Sequence, residues 1–403
     1  MALIDLSGRV DPTALLRGLI RARTRGAELD RVTFRFLQGA NPSPGALALL
    51  AAWLLANRED GGDPQVTGDS RVIESLARID PHRLLRLGAP AGRPDPNAAF
   101  VPLTTISNGR QVNDAVNELC EIVVRHAADP RAVLPAIEWA VNEVTDNVEL
   151  HASAATPGIF CARFYPGSNW LEVAVVDQGI GIRASLGSAI PAGSDGEAIA
   201  KALQRGVTRD PSVGQGNGLA GTKEIILQNG GDLMLWSGVA MFRISNGQDN
   251  GYVPVSGSAG TGVVLNFHLN QPIDLRRTFI AGTALDYIGR QAEAAAHDGL
   301  LVREQVASTR SRAPARQLRQ KVLAMLPDIA GPLRLDFARV EIAASSFLDE
   351  LLGRLAASLG EEEFRRRIQV RNMTPLVGQI ANVVIGQRLR GLEPNVPDEV
   401  DED

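Results

Sequence analysis

Three glycines alternate with polar residues in the segment Gly214-Gln215-Gly216-Asn217-Gly218, and the residues that follow predict a helix over 220–227. Glycine lets the backbone approach a bound group closely, and the free N–H groups at the start of a helix attract anions. The segment is not a Walker loop, because Lys and Ser/Thr do not follow its last glycine, and its GxGxG spacing without a preceding strand differs from the dinucleotide-binding fingerprint. It predicts an anion-binding loop in a fold that contains both helices and strands.

The composition is that of a folded chain with several domains. The chain has 403 residues, of which 44% are hydrophobic and 22% are charged, and this length corresponds to about two to three domains. Its formal charge of -5 provides no overall basic field for nucleic acid or an anionic membrane. The two cysteines, Cys120 and Cys161, form no metal-ligand motif, and there is no long apolar run. We therefore expect a cytoplasmic protein.

A second informative segment lies on a helix predicted over 130–150. Within NEVTDN (142–147), Glu143 and Asn147 are four residues apart and therefore share one side of the helix. A carboxylate and a carboxamide in this arrangement are able to converge on one magnesium-bound phosphate group. The alternative is a pair of solvated polar residues on an amphipathic helix.

Two further segments place polar residues next to predicted strands. In VAVVDQGIGI (173–182) a buried strand runs into Asp177, whose carboxylate suits an exocyclic amine donor, and Gly179 and Gly181 leave room for a planar ring. In GTGVV (260–264), Thr261 opens a strand and is able to hydrogen-bond near the same ring. An ordinary tight turn and a hairpin turn are the respective alternatives.

Taken in order, NEVTDN, DQGIG, GQGNGL and GTGV resemble the N box and the three glycine boxes of the GHKL superfamily, the ATP-binding superfamily shared by gyrase, large heat-shock chaperones, histidine kinases and MutL. The resemblance implies ATP and Mg²⁺ as cofactors and a Bergerat-type α/β sandwich. It also implies that Glu143 is the general base and that Asn147 binds Mg²⁺. The other positions implied to bind ATP are Asp177, Gly179, Gly181, Gly214, Gly216, Gly218, Leu219 and Thr261.

The segment 183–213, between the first two of these glycine boxes, resembles the lid of bacterial anti-sigma serine kinases and contains one helix predicted over 196–204. Arg205 and Arg209 are candidates for contact with the γ-phosphate when the lid closes, and a solvated flexible loop is the alternative for either residue. A histidine kinase requires a phosphoacceptor histidine followed by an acidic residue. His126 is followed by Ala-Ala-Asp-Pro and matches that pattern poorly.

The last predicted unit resembles STAS-type domains, in particular the STAS-like domains of unknown function that accompany such ATPases. In the anti-sigma antagonist branch, a partner kinase phosphorylates a serine at the start of the helix that follows the second strand. Ser345 and Ser346 hold this place as candidate phosphosites, and a helix N-cap is the alternative. The N-terminal unit repeats the element order with Ser43 in a similar place, so a degenerate duplication is an open hypothesis.

We therefore predict a multidomain chain of α+β and α/β units, in which a sandwich ATPase is flanked by small STAS-like domains. The predicted domains are a small α/β domain of STAS-like order over 1–95, the ATPase over 105–272, a STAS-like domain over 278–392, and an acidic disordered tail over 393–403. A Pro/Gly-rich linker is predicted over 88–96.

The predicted function is that of an ATP-binding regulator. Its ATPase module hydrolyses ATP or phosphorylates serine or threonine, and it acts on STAS-like modules or on a protein partner of the STAS or sigma-factor type. One alternative is a non-catalytic switch set by ATP binding, and another is a dimerising clamp of the gyrase or MutL type. Homodimeric and autoinhibited arrangements both fit, and we expect no membrane or nucleic-acid partner.

Overall fold

A computed structural model describes residues 2–87, 99–151, 154–205, 207, 218–274, 299–309, 312–329, 331–340 and 343–390. The chain divides into two compact units, Met1–Arg209 with Gly216–Asp274 and Asp210–Gln215 with Leu275–Asp403. The predicted linker and the acidic tail lie outside the described residues. Among the helices that are described, none has the length and apolar character needed to cross a membrane.

The first unit begins with a small parallel sheet and three helices. Its elements are β1 (Leu3–Leu6), β2 (Arg9–Val10), α1 (Pro12–Thr24), β3 (Thr33–Phe36), β4 (Asn41–Pro42), α2 (Pro44–Glu59), β5 (Gln65–Gly68) and α3 (Ser70–Ile79). The main sheet has the order β1-β3-β5, and β2 and β4 form a separate parallel pair. Parallel strands require helical crossovers, which α1 and α2 provide.

A five-stranded antiparallel sheet forms the rest of the first unit. Its strands are β6 (Phe100–Ile106), β7 (Gly158–Tyr165), β8 (Trp170–Val176), β9 (Asp232–Ser245) and β10 (Gln248–His268). Their spatial order is β6-β7-β8-β10-β9. The helices around it are α4 (Gly109–His126), α5 (Pro130–His151), α6 (Gly181–Leu186), α7 (Asp195–Ala202) and α8 (Gly218–Asn229).

Helices cover both faces of the five-stranded sheet. On β7, Cys161 shares a hydrophobic core with α2, whereas Phe164 points to the opposite face and stacks on His126 of α4, with 4.4 Å between ring centroids. The helix α2 is apolar on all sides, as expected of a helix that is buried all around. Phe34 of β3 also packs edge-on against Trp53 of α2. The N-terminal residues and the five-stranded sheet therefore share one core.

The second unit contains another small parallel sheet, in which β12 lies between β11 and β13. Its elements are β11 (Leu300–Leu301), α9 (Val302–Gln305), α10 (Arg312–Met325), β12 (Leu333–Asp336), α11 (Ser345–Leu348), α12 (Arg354–Leu359), α13 (Glu361–Arg367), β13 (Ile368–Arg371) and α14 (Pro375–Arg390). A π-helical turn, Asp349–Gly353, joins α11 to α12. Phenylalanine, leucine and valine side chains from both faces of the sheet form its core.

The turn after the central strand has the same form in the two small parallel sheets. In the first, the N–H of Ala40 donates to the carbonyl of Leu37 at 3.0 Å; in the second, the N–H of Val340 donates to the carbonyl of Phe337 at 2.9 Å. The residue before each donor has a left-handed φ, +75° in the first turn and +64° in the second. This shared geometry is what a duplication would produce, and the duplication stays a hypothesis.

The mixed α/β class predicted from the sequence is confirmed, and three local differences are informative. The residue pattern predicts two strands over 232–237 and 240–245, but β9 is continuous through Gly238, which has a φ of +60° and lies opposite a shift in the pairing register. The residue pattern also predicts a single helix over 345–359, but the π-helical turn interrupts it. The elements β1, α1 and β6 have no counterpart in the sequence-based prediction. The two strands have short or mixed patterns, whereas α1 carries an Asp11 cap and apolar residues at helical spacing that could have indicated it.

Candidate functional site

Asp177 directly follows β8 and is buried, with 6% of its surface exposed. Its Oδ1 accepts the backbone N–H of Gly179 at 2.7 Å and that of Thr261 at 3.3 Å, and its own N–H donates to the carbonyl of Thr261 at 2.9 Å. Burial raises the pKa of Asp177 to about 6, although the two backbone hydrogen bonds act in the opposite direction. A carboxylate acceptor is thereby fixed where β8 and β10 meet.

Ser237 of β9 connects the two glycine-containing turns beside this carboxylate. Its Oγ accepts the N–H of Ile182 at 2.9 Å and donates to the carbonyl of Gly260 at 3.1 Å. Gly181 and Gly260 both have a φ of +76°. A Cβ on Gly181 would lie 2.8 Å from the Ser237 Oγ, and one on Gly260 would lie 2.1 Å from the Asp177 carbonyl oxygen. Both positions therefore require glycine.

Glu143 of α5 lies beside the first residue of α8. A Cβ on Gly218 would lie 2.6 Å from the Glu143 Oε2, and a Cβ on Gly221 would lie 2.3 Å from the ring of Trp139. The helices α5 and α8 pack this closely because two glycines of α8 face α5. The structure thus brings together the predicted general base and the last glycine of the glycine-rich segment.

Asn147 follows one turn further along α5 and is half-buried. The next residue, Val148, lies against the first residue of β7, since a Cβ on Gly158 would come within 2.6 Å of the Val148 Cγ1. The register of β7 and β8 places Gly158 next to the end of β8, where Asp177 follows. The Asn147 end of α5 and the Asp177 carboxylate therefore lie at the same end of the sheet.

A buried polar row runs along α5 beside Glu143 and Asn147. Its members Glu138, Asn142 and Asp146 recur every four residues and are 1%, 1% and 6% exposed. Sequence reasoning did not single them out, because their spacing is equally typical of a solvated helix face. Their burial shows that this half of α5 carries polar groups inside the protein.

The remaining predicted positions fall into two groups. Leu219 is the second residue of α8 and is half-buried, and Arg205 is exposed. Gly214, Gly216 and Arg209 lie outside the described residues. The described residues contain no group of three His, Cys, Asp or Glu side chains able to hold a metal ion.

Ser43 is the N-cap of α2 and is only 5% exposed. Its Oγ accepts the N–H of Ala46 at 3.3 Å. The hydroxyl also lies near the carboxylate of Glu172 on β8. The same carboxylate accepts the N–H of Gly45 at 3.0 Å. Burial raises the pKa of Glu172, and the N–H of Gly45 and the nearby hydroxyl of Ser43 lower it. Ser43 is therefore a buried helix cap in this structure, and Glu172 is a structural partner that no sequence motif indicated.

Ser345 and Ser346 are the first two residues of α11. The N–H of Leu348 donates to the carbonyl of Ala344 at 3.1 Å, so Ala344 occupies the N-cap position. The backbone helix therefore begins at Ser345, and the roles of the two serines as candidate phosphosites or helix caps stay predictions.

Comparison with known proteins identifies one part of the chain. Residues 315–377 match the family model of the STAS-like domain of unknown function (DUF4325). The matched segment runs from α10 into α14, which confirms the STAS-like character predicted for the second unit. A search of curated proteins found no match.

Proposed function

We propose that the five-stranded sheet with α4, α5 and α8 is an ATP-binding module of the GHKL type, with a Bergerat-type sandwich fold, and that it regulates STAS-like domains or a protein partner. The observation that carries the proposal is the position of four predicted motif residues. Asp177 and Thr261 are hydrogen-bonded to each other, Glu143 lies against Gly218, and the end of α5 lies beside the Asp177 end of the sheet.

The described residues fit ATP in two respects. A buried carboxylate held by backbone N–H groups at the end of a strand is suited to accept the amine of adenine. Gly218 leaves a space beside Glu143 that any Cβ would fill, at the start of a helix whose N–H groups favour phosphate. Asn147 offers a carboxamide oxygen, a ligand type suited to Mg²⁺ bound together with phosphate oxygens.

Bound ATP with Mg²⁺ supplies the phosphoryl group and neutralises its charge. Asp177 orients the base, and Thr261 supports the carboxylate from the adjoining strand. Glu143 accepts a proton from the attacking hydroxyl of water or of a serine. Because Ser43 is buried at the start of α2, water or a serine outside this cap is the favoured acceptor.

The test is incubation of the full chain with Mg²⁺ and γ-labelled ATP, in which both released phosphate and protein-bound label are measured. Glu143→Ala is expected to lower turnover by about 10²- to 10⁴-fold, because a general base is lost, while ATP binding is retained. Asn147→Ala is expected to lose magnesium-dependent binding. Glu121→Ala, an exposed position on α4, is the matched control and should leave both unchanged.

Label on Ser345 or Ser346 would identify a serine kinase, and phosphate release without label would identify an ATPase. ATP binding without either product would favour a non-catalytic switch. Absence of ATP binding in the unmodified chain would refute the proposal.

A further inference from the structure

The π-helical turn of the second unit carries two adjacent buried carboxylates. Asp349 is 2% exposed and Glu350 is fully buried at 0%. Burial of a carboxylate is costly unless cations compensate it. These two side chains therefore need positive partners close by.

Five arginines supply those partners. Arg388 of α14 makes two contacts with Asp349, at 2.7 and 2.6 Å, and Arg312 of α10 lies 3.1 Å from the same carboxylate. The carboxylate of Glu350 is approached by Arg316 at 3.4 Å, by Arg319 at 3.0 Å and by Arg354 of α12 at 3.0 Å. We call these seven side chains the arginine cluster.

The arginine cluster has an excess of positive charge. Its members are five guanidiniums and two carboxylates. The formal net charge of these seven described side chains is therefore +3. Burial lowers the pKa of Arg354, and the nearby Arg388 and Arg312 lower it further, while Glu350 and Asp349 raise it. The guanidiniums are thus held close together in spite of their mutual repulsion, and an added anion would reduce that repulsion.

The cluster also reaches the surface. Arg312, Arg316 and Arg319 lie on one side of α10 at positions i, i+4 and i+7. The side chain of Arg316 is 54% exposed and that of Arg354 is 29% exposed, whereas Arg319 and Arg312 are 17% and 15% exposed. Arg316 and Arg354 are therefore the most accessible side chains of the cluster, and the other arginines are more buried.

We propose that the arginine cluster is a binding site for a phosphate group, with Arg316 and Arg354 as the residues that contact it. Phosphate fits better than a carboxylate, because a dianion with several acceptor oxygens matches both the charge excess and the planar N–H donors of more than one arginine. The buried carboxylates hold the guanidiniums in place before the ligand arrives. This site lies in the second unit, and its existence does not depend on the ATP-binding proposal.

The phosphate has two chemical sources, a free anion and a phosphorylated side chain. Calorimetric titration of the full chain at constant ionic strength with inorganic phosphate and with O-phosphoserine compares them. Tighter binding of O-phosphoserine would support a phosphoprotein ligand, and equal or tighter binding of inorganic phosphate would support a free phosphate ligand. Hydrogen exchange read out by peptide should show protection in α10 and in the segment 345–359, which separates this site from any phosphate held by the first unit.

The double variant Arg316→Gln with Arg354→Gln is expected to weaken this binding by about tenfold or more, since each lost guanidinium removes a charge-assisted hydrogen bond. The single variant Arg316→Gln keeps Arg319 and Arg354 beside Glu350, so it tests the site even if the double variant folds poorly. Arg365→Gln, which removes an exposed arginine paired with Glu361 on α13, is the matched control. The proposal would be overturned if the ligand caused no protection in the second unit. It would also be overturned if Arg316→Gln left that protection unchanged, or if Arg365→Gln reduced it as much as Arg316→Gln does.

Discussion

Replacing Asp177 by asparagine should make the first unit more stable at neutral pH while it removes the charged acceptor of the candidate site. The carboxylate is buried, and its pKa rises from 3.8 to about 6 on folding. One pKa unit corresponds to about 1.4 kcal/mol, so keeping this group ionised above pH 6 costs the folded state about 3 kcal/mol. The amide oxygen of asparagine is still able to accept the N–H groups of Gly179 and Thr261, and asparagine carries no charge to desolvate.

The sign of the pH dependence follows from proton uptake. Between pH 4 and 6 the folded chain binds more protons at Asp177 than the unfolded chain, so the free energy of unfolding falls as the pH rises through this range. The variant lacks this titration. Its advantage in unfolding free energy is therefore expected to grow from near zero at pH 4 to about 3 kcal/mol above pH 6, and then to stay constant.

Denaturant unfolding at several pH values, monitored by tryptophan fluorescence, measures the unfolding free energy of the variant and the parent. The signal reports on the first unit, because all four tryptophans, at positions 53, 139, 170 and 236, belong to it. ATP affinity is measured on the same samples and is expected to fall in the variant. Asp114→Asn, at an exposed position of α4, provides the control and should change neither quantity. A loss of stability in Asp177→Asn at pH 7.5, or a gain that does not vary with pH, would show that burial does not dominate the energetics of this carboxylate.

Two further substitutions test local features of the first unit, one in a turn beside Asp177 and one at the start of α2. Gly260→Ala should lower the unfolding free energy of the first unit by more than about 1 kcal/mol, because a left-handed residue gains a Cβ that lies 2.1 Å from the carbonyl oxygen of Asp177; equal thermal stability of variant and parent would contradict this. Ser43→Ala should cost about 1 kcal/mol, since the side-chain cap of α2 is lost; calorimetric unfolding measures it, and a neutral result would show that the cap contributes nothing.

The buried helix α2 links the N-terminal part of the first unit to its five-stranded sheet. Glu172 on β8 accepts the N–H of Gly45 at the start of α2, where the helix dipole favours a negative charge. The N-terminal residues are therefore positioned on the sheet by a buried polar contact as well as by apolar packing. Changes at the start of α2 are consequently expected to affect the sheet that carries Asp177.

The sequence by itself determined the elements that carry a strong local signal. The long apolar run of α2, the helix that presents Glu143 and Asn147 together, and the strand that ends at Asp177 all follow from periodicity and from residue types over a few turns. The order of the glycine-containing motifs along the chain is also given directly by the sequence. The STAS-like character of the second unit also follows from sequence, as the family match over 315–377 confirms.

Only the tertiary structure decided which distant residues meet. The carboxylate of Glu172 and the N–H of Gly45 are 127 positions apart, and Ser237 joins turns that lie 23 and 55 residues away along the chain. The five arginines gather around Asp349 and Glu350 because α10, α12 and α14 pack on one π-helical turn. Local propensity acts over a few residues, whereas the partner of a buried polar group is fixed by chain packing, so these contacts leave no pattern in the sequence.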